Sequence, residues 1–216
     1  MIGHGYQAVV RQLSSDVGEL VVKSPHHNPF LAWFGRRSIQ REAEVYDCLR
    51  GVKGVPRSYG LANSEHLVLE HVVGPTLRSA AADLSQRERF FDRLLESIHA
   101  MHEAGVAHGD LKRKENTLVG PDETPCIIDF GVACLRQDSG RGLRKKRFEL
   151  MRQMDFNAYI KLKYGRLAEQ MSPEDAALHR PLLIERMARR ARGPWKFLTM
   201  RQARKRRRAE RSTDAD

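Results

Sequence analysis

The chain has 216 residues, of which 41% are hydrophobic and 30% charged, enough for one domain or two small lobes around a packed core. No apolar run approaches the ~20 residues that a membrane-spanning helix needs, and no basic start leads into the apolar core of a secretory signal. The formal net charge of +11 is concentrated at one end: residues 189–211 hold eleven Lys/Arg and a single acid, Glu210, so the remainder of the chain is close to neutral.

In chain order, Gly3-His4-Gly5-Tyr6-Gln7-Ala8-Val9-Val10 comes first. Glycines at such spacing let backbone N–H groups approach a phosphate, although a tight hairpin turn uses the same residues. Only Met1 and Ile2 precede Gly3, so either the start is misplaced or the first strand is stunted. Glu19-Leu20-Val21-Val22-Lys23 reads as a buried strand that ends in a lysine thirteen residues past Val10. A lysine snorkelling from a strand edge is the alternative reading. Residues 29–37, with Phe30, Trp33 and Phe34, read as a loop whose aromatics pack on the lobe; a membrane or partner contact is the other reading. Ser38 to Arg50 is expected to be a helix capped by Ser38, with Ala43, Tyr46 and Leu49 on one face. Glu42 lies four residues before Tyr46, whereas Glu44 points about 200° away. Gly54–Gly60 is a turn into a strand, and His66–Gly74 a further strand. Ser85 to Ala104 has the clearest helical period: Phe90, Phe91, Leu94, Leu95, Ile98 and Met101, stopped by Gly105. His99 and His102 on this helix read as packing or surface residues.

The chemistry is concentrated in residues 108–131. His108-Gly109-Asp110-Leu111-Lys112-Arg113-Lys114-Glu115-Asn116 is followed, thirteen residues past Asn116, by Asp129-Phe130-Gly131. Thr117–Val119 and Cys126–Ile128 flank a Gly120-Pro121-Asp122 turn, which predicts a short β-hairpin. Two carboxylates and an amide oxygen with a lysine between them suit Mg²⁺ and a nucleoside triphosphate. The pattern resembles the protein-kinase-like superfamily, whose loop reads H-x-D-x-x-x-x-N ahead of D-F-G. One residue is extra: Asn116 lies six positions past Asp110 where the family has five, and the insertion falls between Lys112 and Asn116. It leaves the roles of Lys112 and Lys114 open.

The resemblance implies an α+β, bilobal kinase-like fold: a small β-rich N-lobe at 1–73, a reduced helical C-lobe at 74–193 and a basic tail at 194–216. It implies ATP and Mg²⁺ as cofactors. By position, Gly3, Gly5, Ala8 (in place of a third glycine) and Val10 form the phosphate loop. Lys23 anchors the α- and β-phosphates, and Glu42 orients it. Leu69 is the gatekeeper, and the backbones of Glu70 and Val72 read the adenine edge. Asp110 orients the acceptor hydroxyl and accepts its proton, Lys112 neutralises the transferred group, and Asn116 and Asp129 hold the metal. Gly109 stands where regulated kinases carry an arginine, which implies no switching by phosphorylation of the loop that follows.

Beyond Gly131 the resemblance fades. No A-P-E occurs in the usual window, and Ser172-Pro173-Glu174-Asp175 reads instead as a helix start in which Ser172 caps and Asp175 closes the box. Helices are expected at 144–164 and 173–190, with Asp155 in the place of a buried aspartate that holds the catalytic loop. In the tail, Trp195, Phe197, Leu198 and Met200 alternate with cations through Arg211, a composition suited to a phosphate-bearing surface. The short second lobe is similar to that of RIO-type kinases and bacterial lipopolysaccharide core kinases. The expected activity is transfer of the ATP γ-phosphoryl to a hydroxyl acceptor, a lipopolysaccharide core sugar or a protein Ser/Thr. The alternative is a nucleotide-binding pseudokinase or RIO-like ATPase whose tail binds RNA or membrane. Three cysteines without a C-x-x-C pair suggest reduced thiols. The expected setting is therefore cytoplasmic: a monomer, peripheral at the inner face of a membrane through 194–211, with RNA the less favoured partner.

Overall fold

The computed structural model describes residues 3–4, 9–16, 18–25, 29–137, 142–165 and 170–181. Met1–His179 form one compact unit and Arg180–Asp216 a second. The first unit opens with a five-stranded antiparallel sheet, order β1-β2-β3-β5-β4: β1 (Gly3–His4), β2 (Val9–Ser15), β3 (Gly18–Ser24), β4 (Ser58–Ala62) and β5 (His66–Glu70). The first strand is two residues long and pairs Gly3 with Val10 and His4 with Val9. Strand β3 lies between β2 and β5, with Val10 and Leu67 both opposite Lys23, so the lysine ends a central strand rather than an edge.

Helix α1 runs Pro29–Cys48 and corrects two expectations. Residues 29–37 are helical rather than a loop, and Ser38 lies inside the helix instead of capping it. Proline is tolerated in a first helical turn, and Gly35 costs the helix only ~1 kcal/mol. Gly35 also falls on the buried stripe that continues through Ile39, Glu42, Ala43, Tyr46 and Leu49. Trp33 and Phe34 fall off that stripe: each is 59% exposed, and their rings meet edge to face at 4.8 Å. They do not pack on the lobe as expected.

The second half is built on α3 (Arg87–Glu103), which follows the one-turn α2 (Leu77–Ala80). Phe90, Phe91, Leu94, Ile98 and Met101 are fully buried, as their period requires. The helix start lacks a side-chain cap of its own. Glu123, in the turn of the hairpin β7 (Thr117–Val119)–β8 (Pro125–Ile127), accepts instead from the Ser85 and Gln86 backbone N–H groups and the Ser85 hydroxyl. This ties the hairpin to the helix. Strand β6 (Val106–Ala107) pairs with β9 (Cys134–Leu135). Helix α4 (Gly142–Tyr164) packs on α3 through Tyr159 against Phe91.

Helix α5 spans only Pro173–Leu178, not 173–190. His179 is extended, and residues 182–190 lie outside the described set. Ser172 caps α5, accepting from the Asp175 N–H at 3.2 Å. The Asp175 carboxylate does not close the box. It accepts from Lys163 at 2.9 Å and from the Tyr164 hydroxyl at 2.6 Å, tying α5 to the end of α4. Among the described residues no helix is long and apolar enough to cross a membrane.

Candidate active site

A cleft of about 850 Å³ lies between the sheet and the hairpin, lined by Val10, Lys23, Glu42, Leu69, Glu70, Val72, Asp110, Asn116 and Asp129 among others. Sequence positions more than a hundred residues apart thus share one wall. Of the glycine-loop residues, Gly3 lies in β1, while Gly5 and Ala8 fall outside the described residues.

The centre of the cleft is a three-residue ion network. Lys23 Nζ lies 2.6 Å from Glu42 Oε1 and 3.1 Å from Asp129 Oδ1. Glu42 is only 5% exposed, whereas Glu44 is exposed, as the helical geometry predicts. Glu42 Oε1 also accepts the Phe130 N–H at 3.2 Å, so one carboxylate holds both the lysine and the Asp129-Phe130 backbone. Burial alone would lower the Lys23 pKa, but Glu42 and then Asp129 outweigh it and hold the pKa above the ordinary lysine value. For Asp129 burial pushes upward, and Lys23 beside it brings the carboxyl below the usual range. Asp129 sits at φ 67°, a left-handed conformation uncommon for a residue with a side chain. Phe130 packs under it between the rings of Tyr46, at 5.1 Å, and His108, at 4.9 Å.

The catalytic loop is fixed from below by Asp155. Its carboxylate accepts the backbone N–H of His108 at 2.8 Å and of Gly109 at 2.7 Å. His102 Nε2 lies 3.1 Å from the same carboxylate. His102 is 5% exposed, so it belongs to the support of the loop, a role that an i, i+3 pair of histidines on a helix does not signal. His108 Nε2 faces the Ile128 carbonyl at 3.0 Å and His108 Nδ1 accepts the Asp110 N–H at 3.2 Å, which together assign the Nε2–H tautomer. The imidazole thereby joins the two ends of the motif. Gly109 has φ 77°, and a Cβ there would lie 2.3 Å from Met151 Cε, so glycine suits both the backbone and the space.

The extra residue is absorbed locally. The Arg113 N–H donates to the Asp110 carbonyl and the Asn116 N–H to the Arg113 carbonyl, giving a 3-10 turn over Lys114–Asn116. Asn116 Nδ2 still donates to the Asp110 carbonyl at 3.1 Å. The carboxylate of Asp110 has Lys112 Nζ on one oxygen and Arg113 Nε on the other, each at 3.7 Å. Lys112 rather than Lys114 is therefore the lysine at Asp110. Arg113, in the stretch whose spacing departs from the family pattern, is the residue that sequence reasoning overlooked.

On the opposite wall Leu69 is buried at the end of β5. The Glu70 carboxylate accepts the Arg57 N–H at 3.0 Å, and Glu70 and Val72 both border the cleft. The donor set for a metal is small: the Asp129 carboxylate and the amide oxygen of Asn116, whose NH₂ is already used. Among the described residues no cluster of three His, Cys, Asp or Glu side chains is placed to hold an ion. That set fits Mg²⁺, which takes one or two protein oxygens and completes its shell with phosphate and water.

The model of the protein kinase domain matches residues 1–153, more than half the chain. The chain belongs to the protein kinase domain family. Among its relatives, the putative cyclin-dependent kinase F-2 of Oryza sativa subsp. japonica is 37% identical over 119 residues, 46% of this chain and 35% of that protein. The serine/threonine-protein kinase grp of Drosophila melanogaster is 28% identical over 112 residues, 48% of this chain and 22% of that one. Eukaryotic translation initiation factor 2-alpha kinase 1 of Mus musculus is 41% identical over 46 residues, 21% of this chain and 7% of that one. The matched part is about a third or less of the length of each of these relatives. They are protein kinases of plants and animals, and the narrower likeness to lipopolysaccharide core and RIO-type kinases rests on the sequence features alone.

Proposed function

We propose that this kinase domain transfers the γ-phosphoryl group of ATP to the hydroxyl of a protein serine or threonine. The observation that carries the reading is Lys23 bridging Glu42 and Asp129 in a cleft that also holds Asp110 and Asn116. In this reading Lys23 anchors the α- and β-phosphates, and Glu42 keeps the ammonium in place. Adenine lies against Leu69, Glu70 and Val72. Asp129 and Asn116 would hold Mg²⁺, which when bound would neutralise charge on the phosphates. Asp110 receives the acceptor's proton, and Lys112 offsets the charge of the moving phosphoryl group. A protein acceptor is favoured over a lipopolysaccharide sugar because the relatives named above are protein kinases.

The test is labelled Mg²⁺-ATP offered to the purified chain with generic protein substrate. Asp129→Ala and Lys23→Ala are expected to abolish transfer. Asp110→Ala is expected to keep ATP affinity by calorimetry while losing ~10²–10⁴-fold in transfer, since its partner is the acceptor. Wild-type protein without ATP affinity refutes the reading. The second reading, nucleotide binding without turnover, is favoured by the inserted residue beside Asp110. It predicts wild-type calorimetry that matches Asp110→Ala, with no transfer from either.

The same proposal assigns residues 194–211 to a polyanionic surface, foremost the cytoplasmic face of a membrane and secondarily RNA. Its basis is the run of cations interleaved with Trp195, Phe197, Leu198 and Met200.

A further inference from the structure

The charges around Asp110 are not those of a neutral acceptor site. Lys112 and Arg113 flank its two carboxylate oxygens at 3.7 Å, too far for hydrogen bonds, so the donors of both cations are not spent on it. Arg113 borders the cleft with its side chain 65% exposed, while its backbone is held on both sides by the bonds to Asp110 and Asn116. A guanidinium presents a planar fork matched to a carboxylate or phosphate. The nearby acid, Glu115, is paired with Arg78. Any hydroxyl approaching Asp110 therefore brings its neighbouring groups up to two cations, with Glu115 paired to Arg78 and Asp129 to Lys23.

We propose that Arg113, beside the Lys112 that serves the moving phosphoryl group, forms an anion-binding clamp next to Asp110, so that the preferred acceptor is a serine or threonine next to acidic residues. This rests on the transfer reaction proposed above. Arg113 is a specificity-determining residue in this account: it selects the acceptor and leaves the proton transfer to Asp110. The stretch between Lys112 and Asn116, one residue longer than the family pattern, is then the one that supplies the second cation.

The test uses the full chain, Mg²⁺-ATP and three serine peptides of one sequence flanked by glutamate, alanine or arginine. Values of kcat/KM are read for wild type, Arg113→Ala and Arg113→Glu. Binding of the same peptides is read by fluorescence anisotropy with Mg²⁺-ADP present. Wild type is expected to prefer glutamate over alanine flanks by about tenfold, a ratio that Arg113→Ala reduces to about twofold. Arg113→Glu is expected to invert the preference toward arginine flanks, with the change carried by the peptide KM. A ratio unmoved in Arg113→Ala overturns the clamp. So does a change confined to the KM for ATP, which would assign the guanidinium to the nucleotide. If no peptide is labelled, the transfer reading fails and the anisotropy arm still decides. Glutamate-peptide binding that depends on Arg113 upholds the clamp. Binding equal in all three proteins, with the basic tail common to them, overturns it.

Discussion

Lys23 works because it is placed between two carboxylates rather than one. Its raised pKa means that its contribution to stability is complete below the unfolded value of ~10.4 and is lost as pH rises through the folded value. Asp129 has a lowered pKa, so its contribution is complete above ~3.9 and is lost as pH falls through the folded value. The pair is thus at full strength from about pH 4 to about pH 10, and both flanks of the stability curve carry its titration. Urea midpoints of wild type and Lys23→Met should run parallel inside that window and converge at both extremes. A constant offset over the whole range would show that the loss comes from packing instead of charge. Single residues of this kind were legible in the sequence where a motif names them: Lys23, Glu42, Asp110, Asn116 and Asp129 share one cleft. Arg113 and His102 were not legible, since nothing in their spacing reveals that one borders Asp110 and the other meets Asp155.

Elements meet where a backbone needs room, and Gly74 is the sharpest case. A Cβ there would lie 2.1 Å from the Val119 carbonyl oxygen. The segment that follows β5 runs directly over the hairpin, with the Val119 N–H bonded to the Pro75 carbonyl at 2.8 Å. Backbone cannot step aside as a flexible side chain can, so Gly74→Ala should cost ~1–3 kcal/mol as overpacking does. Chemical denaturation reads the loss, and a cost near zero would mean that this segment and the hairpin can separate. Helix α1 teaches the opposite lesson about legibility. Its first nine residues looked like a loop because Pro29 and Gly35 interrupt the expected pattern, yet proline suits a first turn and Gly35 falls on the buried stripe. The segment after Gly131 carries its own prediction. Ser139 is the sole Ser, Thr or Tyr between Val132 and Lys146, and Gly109 offers no cation to a phosphate. Ser139→Ala should retain wild-type transfer, and mass spectrometry should find no phosphate on which activity depends.

At the scale of the whole molecule, charge is divided as sharply as structure. The part with the cleft is close to neutral, and the polycation follows it in residues 189–211. Each Lys or Arg near an anionic leaflet contributes ~1 kcal/mol at best, so a cluster is needed where a single cation would not hold. Five consecutive cations at Arg204–Arg208 supply the cluster, while Trp195, Phe197, Leu198 and Met200 offer apolar groups that a purely electrostatic arm has no use for. RNA would answer the cations alone. The two surfaces therefore differ in what salt does to them. Full-length protein should float with anionic liposomes and keep part of its binding at raised salt, because inserted aromatics are not screened. A chain ending at Gly193 should lose the flotation at every salt concentration. Equal flotation of the two would remove the tail from any anchoring role. Tail-dependent binding to RNA that disappears at raised salt, with none to liposomes, would assign the polycation to nucleic acid instead.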